Sequence, residues 1–268
     1  MIRVRFCKPR TGRWRDWRKT CDLKLKTLKK QKGPPYEVDE NLYKQCRDEL
    51  LAAYSGKCAY CEGRLGAQSS PQVEHFRPKG GVRDLKNKVV NVRPKKPHTG
   101  YWWLAYEPSN LLPACSECNV YSIKTGGKGE RFPLPEGGFR AAKPDEEKKE
   151  KPLLIHPGRE DPSRFLDLEL KTGMLMAHGT RGQVSIEVYG LNREALIKDR
   201  KEEWMNAVAF ITLFRRKRNP PREEREHLDE YLAGRKPYSL VWKKVSEQMA
   251  ANRPARPAKK RSRSRASR

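Results

Sequence analysis

Two CxxC pairs, Cys58/Cys61 and Cys115/Cys118, stand 53 residues apart in this chain. Each pair places two thiolates on one side of a tight turn, and two such turns build a tetrahedral four-sulfur cage that suits zinc. Any fold that closes the cage must bring residues 58 and 118 together, so the segment between them is held against it. A lone CxxC also reads as a redox dithiol, but two pairs without a thioredoxin-like pattern favour a structural metal. Four sulfurs leave no coordination position for water, so this metal staples and does not catalyse. Cys7, Cys21 and Cys46 read as ordinary buried or surface thiols. An odd total of seven cysteines fits a compartment where thiols stay reduced.

Charge points to a polyanionic partner. The net charge is +26, of which residues 1–32 supply +11 and the last 16 residues +8. Blocks this dense at both ends match nucleic acid better than mere solubility. No run of 18 or more residues is wholly apolar. The opening MIRVRFCKPRTGRW also lacks the apolar centre of a signal peptide. The expectation is a cytoplasmic protein with no membrane span.

The chain divides by composition into a basic segment (1–37), a core holding both CxxC pairs (38–134), a linker or mobile loop (135–152), a C-terminal α/β to helical region (153–251) and a disordered basic tail (252–268). DENLYKQCRDELLAAYSG reads as one amphipathic helix from Asp39 as N-cap to Gly56 as stop. PQVEHFRP and NLLPA read as short strands, CNVYSIK as a helix start, and residues 79–100 as an exposed basic loop. GQVSIEVYGL alternates as a strand does. NREALIKDRKEEWMNAVAFITLFRRKR is the strongest helix, with Asn192 as its cap, and two shorter helices follow near 221–233 and 238–250.

Between and beside the knuckles lie Glu74, His75, Asn110 and Asn119. In this setting CAYC…VEHFRPK…NLLPACSECN resembles the HNH nuclease superfamily, in the form with a zinc knuckle built into a ββα-metal motif. The fold the resemblance implies is α+β, a ββα-metal HNH core stapled by a four-cysteine zinc knuckle, with flanking helices and a helical C-terminal region. PLLIHPGREDPSRFL and IEVYGLNREALIKDR extend the likeness to an anti-phage subgroup that includes Septu nucleases and retron-associated HNH proteins. The implied activity is Mg²⁺- or Mn²⁺-dependent endonucleolytic hydrolysis of DNA phosphodiester bonds, leaving 3′-hydroxyl and 5′-phosphate ends. His75 would be the general base, Glu74 and Asn119 the ligands of the catalytic ion, and Asn110 a brace for the loop that orients His75. The implied partner is a defence-system protein such as an ATPase.

This sequence departs from the pattern at Glu74, where aspartate is commoner, and in the long stretch from His75 to Asn110. Arg77, Lys79, Arg83, Arg93, Lys95, Lys96, Lys124 and Lys128 are candidate phosphate contacts, and Lys124 or Lys128 matches a lysine that follows CN in the family. Trp102 and Trp103, read as strand neighbours on opposite faces, are assigned to packing more than to base stacking. His98, His156, His178 and His227 are assigned structural or surface roles. The rival readings are a stand-alone restriction or homing-type HNH nuclease and a non-catalytic zinc module that binds nucleic acid.

Overall fold

Thr11 starts the first helix by accepting a hydrogen bond from Trp14 N at 3.2 Å, an N-cap that satisfies one of the free amides of the first turn. The computed structural model describes residues 1–4, 9–66 and 70–252. Cys7 and the basic tail from residue 253 onward lie outside the described residues. Helix α1 (Gly12–Lys30) turns Trp14, Trp17, Cys21 and Leu28 inward and leaves most of its lysines and arginines exposed, while half-buried Arg18 donates to Tyr106 O at 2.6 Å. In the sequence this segment is marked by its basic composition and by Trp14 and Trp17, with no helical pattern assigned. Its buried residues nonetheless recur at helical spacing.

The single helix expected over residues 39–56 is two, α2 (Glu40–Lys44) and α3 (Arg47–Ala53). Asp39 caps α2 through Leu42 N. The chain breaks at Cys46, whose thiol bonds to Tyr43 O at 3.1 Å. Left-handed Ser55 and Gly56 end α3, and Lys57 leads directly into the first CxxC.

Strand β1 (Gln72–His75) is followed by the small hairpin β2 (Asn91–Arg93) and β3 (Lys96–Pro97) and then by β4 (Leu111–Ala114). β1 and β4 pair antiparallel, with Glu74 opposite Leu112 and His75 opposite Leu111. The next residues form one helical turn, α4 (Ser116–Asn119). The longer helix expected from CNVYSIK stops at Asn119 because the chain folds back through a Ser122–Gly126 turn. There Gly127 (φ +92°) would carry a Cβ only 1.9 Å from Val120 O, so no other residue fits.

Trp102 and Trp103 are not strand neighbours. They open a 3₁₀ turn, and both are buried. Trp102 stacks on Tyr36, and Trp103 Nε1 donates to Glu147 at 3.0 Å. Residues 135–152, read as a linker or mobile loop, deliver Glu150 to the interior and half-buried Glu147 to Trp103. Glu150 accepts from Tyr101 OH at 2.6 Å, Ala141 N at 3.0 Å and Arg77 Nε at 3.1 Å.

Beyond this lies the hairpin β5 (Leu166–Glu169) and β6 (Met174–Ala177), then helix α5 (Gly179–Tyr189). The strand expected at GQVSIEVYGL is therefore wrong. Val184, Ser185, Val188 and Tyr189 are buried, a spacing of one and four that defines a helical face. Alternation of Val184, Ile186 and Val188 fits either period over so short a run. Gly190 (φ +61°) supplies the left-handed stop.

Helices α6 (Glu194–Arg216), α7 (Arg222–Leu232) and α8 (Ser239–Ala251) follow as expected. Asn192 does not cap α6. Its amide instead brackets Leu175 N and O at 2.9 Å each, which ties α6 to β6. The chain is thus mixed α+β, with three two-stranded sheets and a helical C-terminal region among the described residues. Among the same residues, no helix is long and apolar enough to cross a membrane.

Candidate active site and metal centre

The two knuckles meet. The Sγ atoms of Cys58, Cys61, Cys115 and Cys118 all lie within 4.8 Å of one another, and all four residues are buried. Cys61 and Cys115 are 3.8 Å apart, and a tetrahedral ion with Zn–S bonds of about 2.3 Å requires sulfur separations of about 3.8 Å. The group can therefore hold a metal such as zinc. Ala59 N donates to Pro113 O at 2.9 Å, which locks the first knuckle to β4.

Arg193 reaches over the cluster, Nη1 to Cys118 Sγ at 3.4 Å and Nη2 to Cys115 Sγ at 3.7 Å. Burial opposes the charge on Arg193, but the adjacent sulfurs outweigh it and hold the guanidinium above its ordinary range. With zinc bound, four thiolates would leave the site doubly negative, and this arginine would offset part of that charge. Sequence reasoning missed Arg193, which lies 75 residues from Cys118 with no motif to link them.

The four-cysteine cluster lies where β4 runs into α4, and β1 pairs with β4 beside it, which gathers the residues singled out for catalysis. His75 ends β1. Its Nε2 is 2.9 Å from Ala105 O, and Tyr43 of α2 lies edge-on at 4.6 Å between ring centroids. His75 is only 6% exposed. Burial pushes its pKa from 6.5 down to about 3, with the Ala105 contact opposing, so the ring is neutral at pH 7.

Asn110 braces the segment after His75. Its Oδ1 accepts from Arg77 N at 2.8 Å, and its Nδ2 donates to Arg77 O at 3.1 Å and Leu104 O at 3.2 Å. Phe76 N donates to Asn110 O at 2.9 Å. Asn110 thereby holds the exit of β1 and the turn bearing Ala105 in one geometry.

Glu74 and Asn119 fall elsewhere. Strand alternation puts Gln72 and Glu74 on one face of β1 and His75 on the other. Asn119 Nδ2 donates to Gln72 Oε1 at 2.6 Å. Glu74 Oε1 is 2.7 Å from Lys128 Nζ, and both residues are buried. Burial raises the Glu74 carboxyl and Lys128 opposes the rise. The expected set is thus divided, with His75 and Asn110 joined at one corner and Glu74 and Asn119 on the face of β1 turned toward α4 and Lys128.

The candidate phosphate contacts divide too. Arg93, Lys95 and Lys96 are exposed on the β2–β3 hairpin, and Lys124 is exposed after α4. Lys79 bonds to Glu40 at 3.2 Å, and Arg83 to Glu130 at 3.3 Å and Asn87 O at 3.0 Å. Arg77 is buried, paired with Glu150 and set 5.1 Å from the Phe132 ring centre, and Lys128 is buried on Glu74. Both are held by these ion pairs in the protein interior, with Arg77 also lining the cleft beside His156.

Two histidines assigned structural roles are built into the frame. His156 Nε2 contacts Ser109 O at 3.0 Å and its Nδ1 accepts from Gly158 N at 3.0 Å. His98 Nε2 contacts Ala141 O at 2.7 Å. Beside His156 lies a cleft of about 930 Å³ lined by Arg77, Glu147, Glu150, Arg159, Glu160 and Arg181 among others, where acids and bases are largely paired with each other.

No family model matches the chain. It is 34% identical over 183 residues, 66% of its length, to the Septu protein PtuB of Bacillus mycoides (strain KBAB4), of which the match spans 56%. It is 31% identical over 169 residues, 62% of its length, to the Septu protein PtuA of the same strain, covering 22% of that protein. A Septu protein PtuB from Bacillus thuringiensis is 29% identical over 145 residues, 54% of this chain and 40% of that one. The chain thus spans about half or less of the length of the curated relatives it matches.

Proposed function

We propose that this chain is an HNH-type endonuclease that hydrolyses DNA phosphodiester bonds within a Septu-like anti-phage defence system. The observation that carries the reading is the tautomer imposed on His75. A carbonyl oxygen only accepts, so the 2.9 Å contact with Ala105 O puts the ring hydrogen on Nε2 and leaves the Nδ1 lone pair for a proton. Burial keeps the ring neutral, which a general base must be. The same burial makes it a weak base, and a phosphate arriving beside it would raise its proton affinity. In the proposed step Nδ1 takes a proton from water, the water oxygen attacks phosphorus in line, and the P–O3′ bond breaks, the departing O3′ taking a proton from solvent to give the 3′-hydroxyl. Asn110 positions the loop that fixes Ala105 and thus the ring.

The resemblance implies Mg²⁺ or Mn²⁺ on Glu74 and Asn119. As arranged, these residues do not form a cation site. Glu74 is ion-paired with Lys128, and Asn119 is hydrogen-bonded to Gln72. Among the described residues, the four cysteines are the one group of three or more His, Cys, Asp or Glu donors close enough to hold an ion. Tyr43 and α2 also cover His75, so substrate access requires α2 to move.

The defence role is supported by the likeness to Septu proteins, and the two relatives from one strain, PtuA and PtuB, support action beside a second protein. The ATPase character of that partner rests on the resemblance. A second reading, a non-catalytic zinc module that binds nucleic acid, is favoured by the burial of His75.

Supercoiled plasmid separates the two. In the nuclease reading the chain, alone or with its ATPase partner, nicks DNA with Mg²⁺ or Mn²⁺. His75→Ala then abolishes nicking while salt-sensitive binding persists. Absence of cleavage under every combination of ion and partner would establish the binding module.

A further inference from the structure

Lys128 is fully buried, at 0% exposure. A buried ammonium is tolerated where hydrogen-bond acceptors surround it and a counter-charge adjoins it. Both conditions hold. Nζ donates to His75 O at 2.8 Å and to Gly129 O at 3.2 Å, and it is ion-paired at 2.7 Å with Glu74 Oε1, an oxygen that makes no hydrogen bond among the described residues.

The backbone is built to deliver it there. Lys128 N donates to Cys118 O at 2.8 Å and Gly129 N to Asn119 O at 2.6 Å. The intervening loop closes only because Gly127 lacks a Cβ. The helical turn that carries Cys118 and Asn119 therefore also anchors Lys128, and the ammonium lands on two consecutive residues of the proposed reaction centre.

We infer that Lys128 is the resident cation of this centre: it occupies the place at Glu74 that a divalent ion would take, fixes the peptide of His75, and keeps the free chain from binding a divalent ion there. The centre's meaning rests on the nuclease reading, but the inference does not need activity to be tested. In it Glu74 is an anchor for Lys128, and Lys128 is a positioning residue that touches no substrate.

The test is Mn²⁺ binding by the zinc-loaded full chain without nucleic acid, read from the electron paramagnetic resonance of free Mn²⁺. Wild type should bind no Glu74-dependent ion up to about 1 mM, the weak end of oxygen-ligand sites. Lys128→Met should gain one ion at least about tenfold tighter than anything wild type shows, and adding Glu74→Gln should remove it. Lys128→Arg, which keeps the charge, should bind none. One Mn²⁺ on wild type that Glu74→Gln abolishes would overturn the inference, as would folded Lys128→Met that gains no ion. Should Lys128→Met fail to fold, the wild-type and Glu74→Gln titrations decide alone. Failure of the nuclease reading would appear separately, as absent cleavage with the same Mn²⁺ result.

Discussion

Lowering the pH from 7 to 5 should cost this protein stability through His75, by an amount that can be worked out. The folded ring takes a proton only near pH 3, whereas the unfolded one takes it near 6.5. Between those values the unfolded state binds more protons, so stability is complete above about pH 6.5 and is lost as pH falls toward 3. At pH 5 the unfolded histidine is almost fully protonated and the folded one almost fully neutral. The difference relative to pH 7 is about 2 kcal/mol, and any folded pKa below about 4 gives nearly the same value. His156, also pushed to about 3 by burial, adds a similar loss, and a metal held on the four cysteines would add its own acid sensitivity.

The contribution of His75 is isolated by comparison with His75→Gln, which keeps a donor for Ala105 O and removes the titration. Urea unfolding followed by tryptophan fluorescence, in buffered zinc at pH 7 and pH 5, should show wild type losing about 2 kcal/mol more than the variant. Proton resonances of the His75 ring should not shift above about pH 4. A difference below about 0.5 kcal/mol, or a ring that titrates near 6, would refute both the burial argument and the tautomer derived from it.

Cys58→Ser should lower the zinc content and the yield of soluble protein, measured by atomic absorption. A soluble variant with unchanged metal would rule out the four-sulfur site. Glu150→Ala leaves buried Arg77 without its counter-charge and should destabilise the fold by about 3–5 kcal/mol in denaturant titration. Tyr43→Ala should speed carbethoxylation of His75, read by peptide mass spectrometry, at least about tenfold by opening a low-energy route to the ring. An unchanged rate would mean that α2 does not cover it.

Much of this arrangement is written locally. The two CxxC pairs announce their own meeting, and Pro71 and Pro78 bracket the segment that holds β1. The proline–proline break and glycine stops delimit α6, α7 and the end of α3. Where the reading failed, the local signal was ambiguous. Alternating Val184, Ile186 and Val188 fits a strand until the packing of Ser185 and Tyr189 is known. The adjacent tryptophans gave no sign of a 3₁₀ turn.

Sequence alone determined which side chains could carry chemistry, because cysteine spacing and the identities at 74, 75, 110 and 119 are local facts. Only the tertiary structure decided what those side chains touch. It buried Arg77 and Lys128, which read as phosphate contacts, set Arg193 over the sulfurs, and put Lys128 where an ion was expected. The physical reason is that a charge is assigned its role by the low-dielectric surroundings in which it is buried, and those surroundings are assembled from residues far apart in the chain.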